Sequence, residues 1–243
     1  MLLFLSEALS LRSKLCLSDT KVYFKLRKQI LMKERSLADF SISELLIYLQ
    51  TSQNLPKMLS LLFVSFVVPL GLPLVIVTMI LYPQIVLTRH FWTSQQINQV
   101  QLNELNKNKI ILKQLLEINK NFVNQLPIEF SQLSKLNNLP KIEELSFLQL
   151  YLLKRLYKVS PLSFGSNALI QHIYILQLLD QKMLGDQNKT LSGDELRLHL
   201  YLRKLNYDKM DIESMRILLN KWLQNCSELP LSTYAFSPCL LQK

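Results

Sequence analysis

Three histidines, three cysteines and one acidic loop are the places where residue type and spacing invite chemistry. His90, His172 and His199 have no second His or Cys at metal-ligand spacing, so no zinc-type site follows. Cys16, Cys226 and Cys239 are odd in number, widely spaced and without a C-x-x-C pair; they read as reduced thiols in a reducing compartment. Asp186-Gln187-Asn188-Lys189-Thr190 opens like a calcium loop. Its sixth position is Leu191 where the sharp turn needs Gly, and its twelfth is Arg197 where the cation needs a bidentate Glu. The acidic residues there read as helix caps. No Ser-His-Asp or Cys-His arrangement can be assembled. The expectation is a protein with no catalytic site, no metal, no cofactor and no small-molecule substrate, hence not an enzyme.

The scarcity of glycine narrows the scaffold. The 243 residues hold four, Gly71, Gly165, Gly185 and Gly193. Dinucleotide-binding turns and phosphate-cradling loops need closely spaced glycines, and β-hairpins favour them. The chain is therefore expected to be all-α. With 28 basic and 18 acidic residues its net charge is +10, which suits an anionic partner such as nucleic acid, lipid or acidic protein.

Lys57 is followed by no charged residue until Arg89. Met58 to Tyr82, 25 residues, is long enough to span a bilayer, which takes about 20. Pro69, Gly71 and Pro73 interrupt it at the middle. The first reading is one kinked transmembrane helix; the alternatives are a re-entrant hairpin turning at 69–73 and a buried core helix. Arg89, Lys107 and Lys109 beyond the span tilt its C-terminal side toward the inner compartment. His90, Phe91 and Trp92 then suit the membrane edge.

Residues 19–50 predict one or two short helices, read either as amphipathic on a membrane surface or as an ordinary solvated face. Ser41 or Ser43 starts the second of them. Thr93 or Ser94 caps a helix through Leu126, which Asn106–Lys109 divides. Pro140 opens another, and Ser166 and Gly185 bracket the next. Ser192-Gly193-Asp194-Glu195 is a capping box for a helix to Lys204, and Asp208 caps the last helix, through Gln224. His172 and His199 are expected to be partly exposed.

Two stretches carry a family resemblance. One is the proline-bearing span running through Tyr82-Pro83 into Arg89-His90-Phe91-Trp92. The other is Leu191-Ser192, Glu195-Leu196, Arg203 and Trp222-Leu223. In order and spacing they resemble the LETM-domain family of mitochondrial inner-membrane proteins, most closely its short branch without EF-hands. The chain departs from the family pattern in having His199-Leu200 for Ala-Cys, Lys204 for a glycine, and no second proline after Pro83.

The resemblance implies a single transmembrane helix followed by a helical-bundle domain in the mitochondrial matrix that binds mitochondrial ribosomes and supports mitochondrial organisation or protein insertion. The organisation read from this is a basic helical segment at 1–57, the transmembrane helix at 58–82, the helical domain at 83–230 and a tail at 231–243. Lys107, Lys109, Lys113, Lys120, Lys154, Arg155 and Lys158 are candidate ribosome contacts. Inner-membrane lipids are a second partner, and a homo-oligomer is compatible with the sequence. The alternative is a component of mitochondrial cation/proton exchange, and the third reading is a soluble nucleic-acid binder using Arg197, Arg203, Lys204 and Lys209.

Overall fold

The computed structural model describes residues 2–81, 89–119, 129–136, 139–160, 163, 165–184 and 190–241. Among them all regular structure is helical. The chain divides into two compact units, residues 1–97 and 98–243.

The first unit begins with α1 (Leu2–Leu31), one long helix where short ones were expected. A tight link leads into α2 (Ile42–Val67). Ser41 is its cap: its hydroxyl accepts from Glu44 N, and Glu44 returns a carboxylate oxygen to Ser41 N. Arg35 grips the same carboxylate at 3.1 and 3.2 Å, which holds Glu44 below the usual carboxylate range. α1 packs on α2 through buried Cys16, Tyr23 and Leu26 against Leu45, Tyr48 and Leu49, with Tyr23 and Tyr48 rings 5.1 Å apart.

The single transmembrane helix expected at 58–82 is not formed. α2 ends at Val67 and α3 (Gly71–Leu81) begins after a short break. Pro69 disfavours helical backbone at Val68, which is extended at φ −87°, ψ 128°. Leu70 then turns left-handed at φ 60°. Gly71 is required because a Cβ there would lie 1.9 Å from the Val64 carbonyl oxygen. Pro73 falls in the first turn of α3, where its missing N–H removes no helical hydrogen bond. The two apolar pieces, Met58–Val67 and Gly71–Leu81, each reach about 15 Å, half of a bilayer core. No helix among the described residues is long and apolar enough to cross a membrane.

α4 (Ser94–Ile118), most of which belongs to the second unit, starts at a Thr93–Gln96 capping box and runs unbroken through Asn106–Lys109. Its expected end near Leu126 lies outside the described residues. Pro140 does not open the next helix. A short turn at Ile142–Glu144 intervenes, and the Ser146–Gln149 capping box starts α5 (Phe147–Tyr157). α6 (Asn167–Met183) follows Ser166, which makes no side-chain cap bond; Gly185 is not described. α7 (Gly193–Leu202) has the expected Ser192–Glu195 box, with Ser192 N donating to Glu195 at 2.8 Å. α8 (Ile212–Cys226) is preceded by Asp211, while Asp208 belongs to the turn before it.

Residues 231–243, read as a tail, contain α9 (Leu231–Leu241), which is buried on every face from Ser232 to Leu240. It packs on α6 and on the turn Phe130–Lys135. An uncharged helix apolar all round belongs inside a core, and α9 is that core.

Glycine scarcity has a local consequence. Three helices end in a paired bond pattern whose pivotal residue is usually Gly, and here it is lysine: Lys33 at φ 57°, Lys158 at φ 57° and Lys204 at φ 61°. At Lys204 the bonds are Lys204 N to Tyr201 O and Leu205 N to Leu200 O, both 3.0 Å. The glycine expected from the resemblance at this position is thus the residue that suits a left-handed C-cap.

Candidate functional site

The second unit is organised around one carboxylate. Asp180, on α6, is fully buried. Arg203, just past α7 and equally buried, donates to its Oδ1 from Nε at 2.8 Å and also from Nη2. Trp222 on α8 donates its indole N–H to Oδ2 at 2.7 Å, and Tyr234 on α9 donates its hydroxyl to the same oxygen at 2.7 Å. The Trp222 and Tyr234 rings meet edge to face, 5.5 Å apart. Four donors saturate the carboxylate, and the Arg–Asp pair cancels its charge. Arg203 Nη1 also donates to the His199 carbonyl at 2.7 Å and faces His199 Nδ1 at 3.3 Å. Burial, then the nearby Arg203 charge, lowers the His199 pKa to about 3, so the ring is neutral.

A second cluster joins α4 to α5 and α7. Glu104 accepts from Lys158 Nζ at 2.6 Å and from the Tyr201 hydroxyl. Burial pushes the Glu104 carboxyl up, but the Lys158 charge and the two hydrogen bonds outweigh it and hold it low. Tyr207 donates to Gln101 at 3.0 Å. Lys204 Nζ lies over the Tyr201 ring at 4.6 Å; burial, then repulsion by Lys158, lowers its pKa to about 7 despite Glu104. His172, beside the Tyr157 ring, is buried and lowered to about 3, chiefly by desolvation.

These positions correct several expectations. His172 and His199 are buried, not partly exposed. Arg203, Leu196, Trp222 and Leu223 are interior and hold the core together; Leu191, Ser192 and Glu195 form the helix start, with Ser192 and Glu195 exposed. Arg203 and Lys204 are unavailable to nucleic acid. Lys154 is buried with Nζ on the Ser163 carbonyl, and Lys158 is committed to Glu104. Lys107, Lys109 and Lys113 are exposed along α4, as is Arg155 on α5; Lys120 is not described. The sequence reading missed Asp180, a lone carboxylate amid Leu176, Leu178, Leu179 and Met183, and Tyr234 in the uncharged run before the C-terminus. Isolation among apolar residues was the available signal for both.

In the first unit Pro69 and Pro73 are exposed and Gly71 is buried at the corner. Tyr82 and Pro83 lie outside the described residues. Arg89–Phe91 form a short turn against α1. His90 Nε2 and Asp19 Oδ2 are 2.9 Å apart, and Arg12 Nη1 donates to Phe91 O at 2.7 Å. Trp92 is half-buried. Leu59, Phe63, Phe66, Val67, Leu74 and Val77 are exposed around the corner, Phe66 to 84%. Among the described residues no His, Cys, Asp and Glu group could hold a metal ion.

Residues 40–139 match the family model described as LETM1-like, RBD, where RBD denotes a ribosome-binding domain. Over these residues the chain is similar to the LETM-domain family. The matched stretch holds α2, the corner, α3, α4 and the turn Phe130–Lys135. The Asp180 cluster and the Leu191–Leu223 motif lie beyond it. No curated protein and no solved structure matches the chain.

Proposed function

We propose that this LETM-type chain is a mitochondrial inner-membrane protein whose helical domain binds mitochondrial ribosomes, in support of mitochondrial organisation or protein insertion. The observation that carries the reading is the ribosome-binding-domain match at residues 40–139. The chemistry of the matched stretch supports it. α4 offers Lys107, Lys109 and Lys113 to solvent, and such a run is attracted to the phosphates of ribosomal RNA. Membrane residence rests on the exposed apolar corner of α2 and α3. An exposed patch containing Phe63, Phe66, Leu70 and Leu74 marks an interaction site, and the lack of charge from Met58 to Thr88 suits lipid. The corner enters the bilayer as two half-length apolar helices.

Sedimentation of the full chain with purified mitochondrial ribosomes, across a salt series, tests the central claim. Co-migration that weakens with salt is expected. Absence of co-migration at every salt concentration overturns it. Alkaline carbonate extraction of mitochondria tests residence, and release into the soluble fraction argues against it.

A further inference from the structure

α1 lies outside the stretch that matches the ribosome-binding-domain model. From Leu17 to Leu31 the residues at helical spacing, Leu17, Lys21, Phe24, Lys28 and Leu31, are all exposed, and Lys25 flanks them. Leu17, Phe24 and Leu31 are each half or more exposed. The opposite face is spent on α2 through Cys16, Tyr23 and Leu26. One helix therefore presents large apolar side chains and ammonium groups in alternation along a single stripe.

We infer that this stripe docks on the surface of an anionic lipid bilayer, with Leu17, Phe24 and Leu31 entering the headgroup boundary and Lys21, Lys25 and Lys28 meeting lipid phosphates. Three observations carry it. The first is charge. Between Lys14 and Lys33 the sole acidic residue is Asp19, set against Lys14, Lys21, Lys25, Arg27, Lys28 and Lys33, so this stretch of α1 is strongly basic. The second is the mixture. Aliphatic Leu17 and Leu31 offer RNA neither a stacking plane nor a hydrogen bond, whereas a headgroup–acyl boundary accepts both them and the lysines. The third is position. Arg12 to Phe91 O at 2.7 Å and His90 to Asp19 fasten α1 to residues 89–91. Arg89 is the first charged residue after Lys57, so α1 is tied to the point where the uncharged stretch ends. If that stretch is immersed, α1 lies at headgroup level. The inference rests on the membrane reading of the α2–α3 corner.

The test reconstitutes the full chain into phosphatidylcholine vesicles with and without phosphatidylglycerol. A fluorophore is attached to Phe24→Cys or, in a separate sample, Phe66→Cys; the native cysteines are buried. Iodide in the water and doxyl groups on the lipids serve as quenchers. The Phe66 label is expected to be lipid-quenched in both vesicles. The Phe24 label is expected to become lipid-quenched and several-fold less open to iodide only with the anionic lipid. Each lysine near such a surface is worth about a fivefold preference, so Lys21→Gln, Lys25→Gln and Lys28→Gln together should reduce docking about 100-fold. The three Lys→Arg changes should preserve it. A Phe24 label open to iodide in both vesicles, with Phe66 lipid-quenched, overturns this inference alone. If Phe66 is not lipid-quenched either, the membrane reading fails with it. Protection of Phe24 by an RNA oligomer, or by raising protein concentration, without any response to anionic lipid assigns the face to nucleic acid or to a second copy and also overturns it.

Discussion

The Trp222 indole N–H points at Asp180 Oδ2 from 2.7 Å, while Arg203 occupies the other oxygen of the same carboxylate. Arg203 and Trp222 are the two buried polar-tipped members of the C-terminal motif, and they meet on a residue that lies outside it. The motif is thus a record of one buried anion and its donors. Removing that anion leaves the Arg203 guanidinium in the core without a counter-charge. Asp180→Asn should cost about 3–5 kcal/mol, read from the denaturation midpoint of the chain. Asp180→Leu combined with Arg203→Met should cost clearly less than the sum of the two single changes. Additive losses would show that the pair is not coupled.

The stability of the second unit should climb with pH in two separate windows. His172 and His199 keep folded pKa values of about 3 against an ordinary 6.5. Between those values the unfolded chain binds protons that the native state refuses, so stability falls as pH drops from about 6.5 toward 3. Lys204, lowered to about 7 from 10.5, sheds its proton in the folded state first. Stability therefore rises with pH from about 7 to about 9, where only the unfolded chain still holds that proton. Above that the Cys226 and Cys239 thiols, raised by burial in the folded state, ionise first in the unfolded chain and reverse the slope. Urea midpoints measured across pH should show both limbs. Lys204→Met should flatten the upper one and leave the lower one in place.

Lysine in the left-handed cap position carries a penalty that glycine avoids. Lys33 is exposed, has φ 57°, and ends α1 with Glu34 N on Gln29 O at 2.9 Å. Lys33→Gly should raise stability by about 1 kcal/mol, seen as a higher thermal midpoint. A lower midpoint would mean that the lysine side chain outweighs the backbone strain.

Cys16, Cys226 and Cys239 are buried, and burial pushes the thiols of Cys226 and Cys239 well above their ordinary range. A thiolate is the reactive species. Native protein should react slowly with a thiol reagent at neutral pH, and all three cysteines should react after denaturation. Fast titration of Cys226 or Cys239 in native protein would contradict the packing of α9.

The exposed and buried lysines should separate in ribosome binding. Replacing Lys107, Lys109 and Lys113 by Gln should lower the slope of log affinity against log salt by about one for each phosphate left without its lysine, and stability should not change. Lys154→Gln should instead weaken the fold, because its Nζ serves the Ser163 carbonyl. An unchanged slope for the triple variant would move the ribosome-binding surface off α4.

By itself the sequence determined the helical class, a helix start at Ser41 or Ser43, the capping box at Ser192, and the apolar stretch after Lys57. All of these are local: a cap needs residues three apart, and an apolar run is read from consecutive positions. Tertiary structure decided the rest. The apolar stretch became two helices because Leu70 and Gly71 turn against the Val64 carbonyl, a close approach that hydropathy does not encode. Residues 231–241 moved from tail to core because an uncharged run is read correctly only when partners exist to surround it. Arg203, Lys204 and Lys154 look like surface charge in one dimension. Their burial depends on Asp180, Tyr201 and the Ser163 carbonyl, which only the folded chain brings within reach.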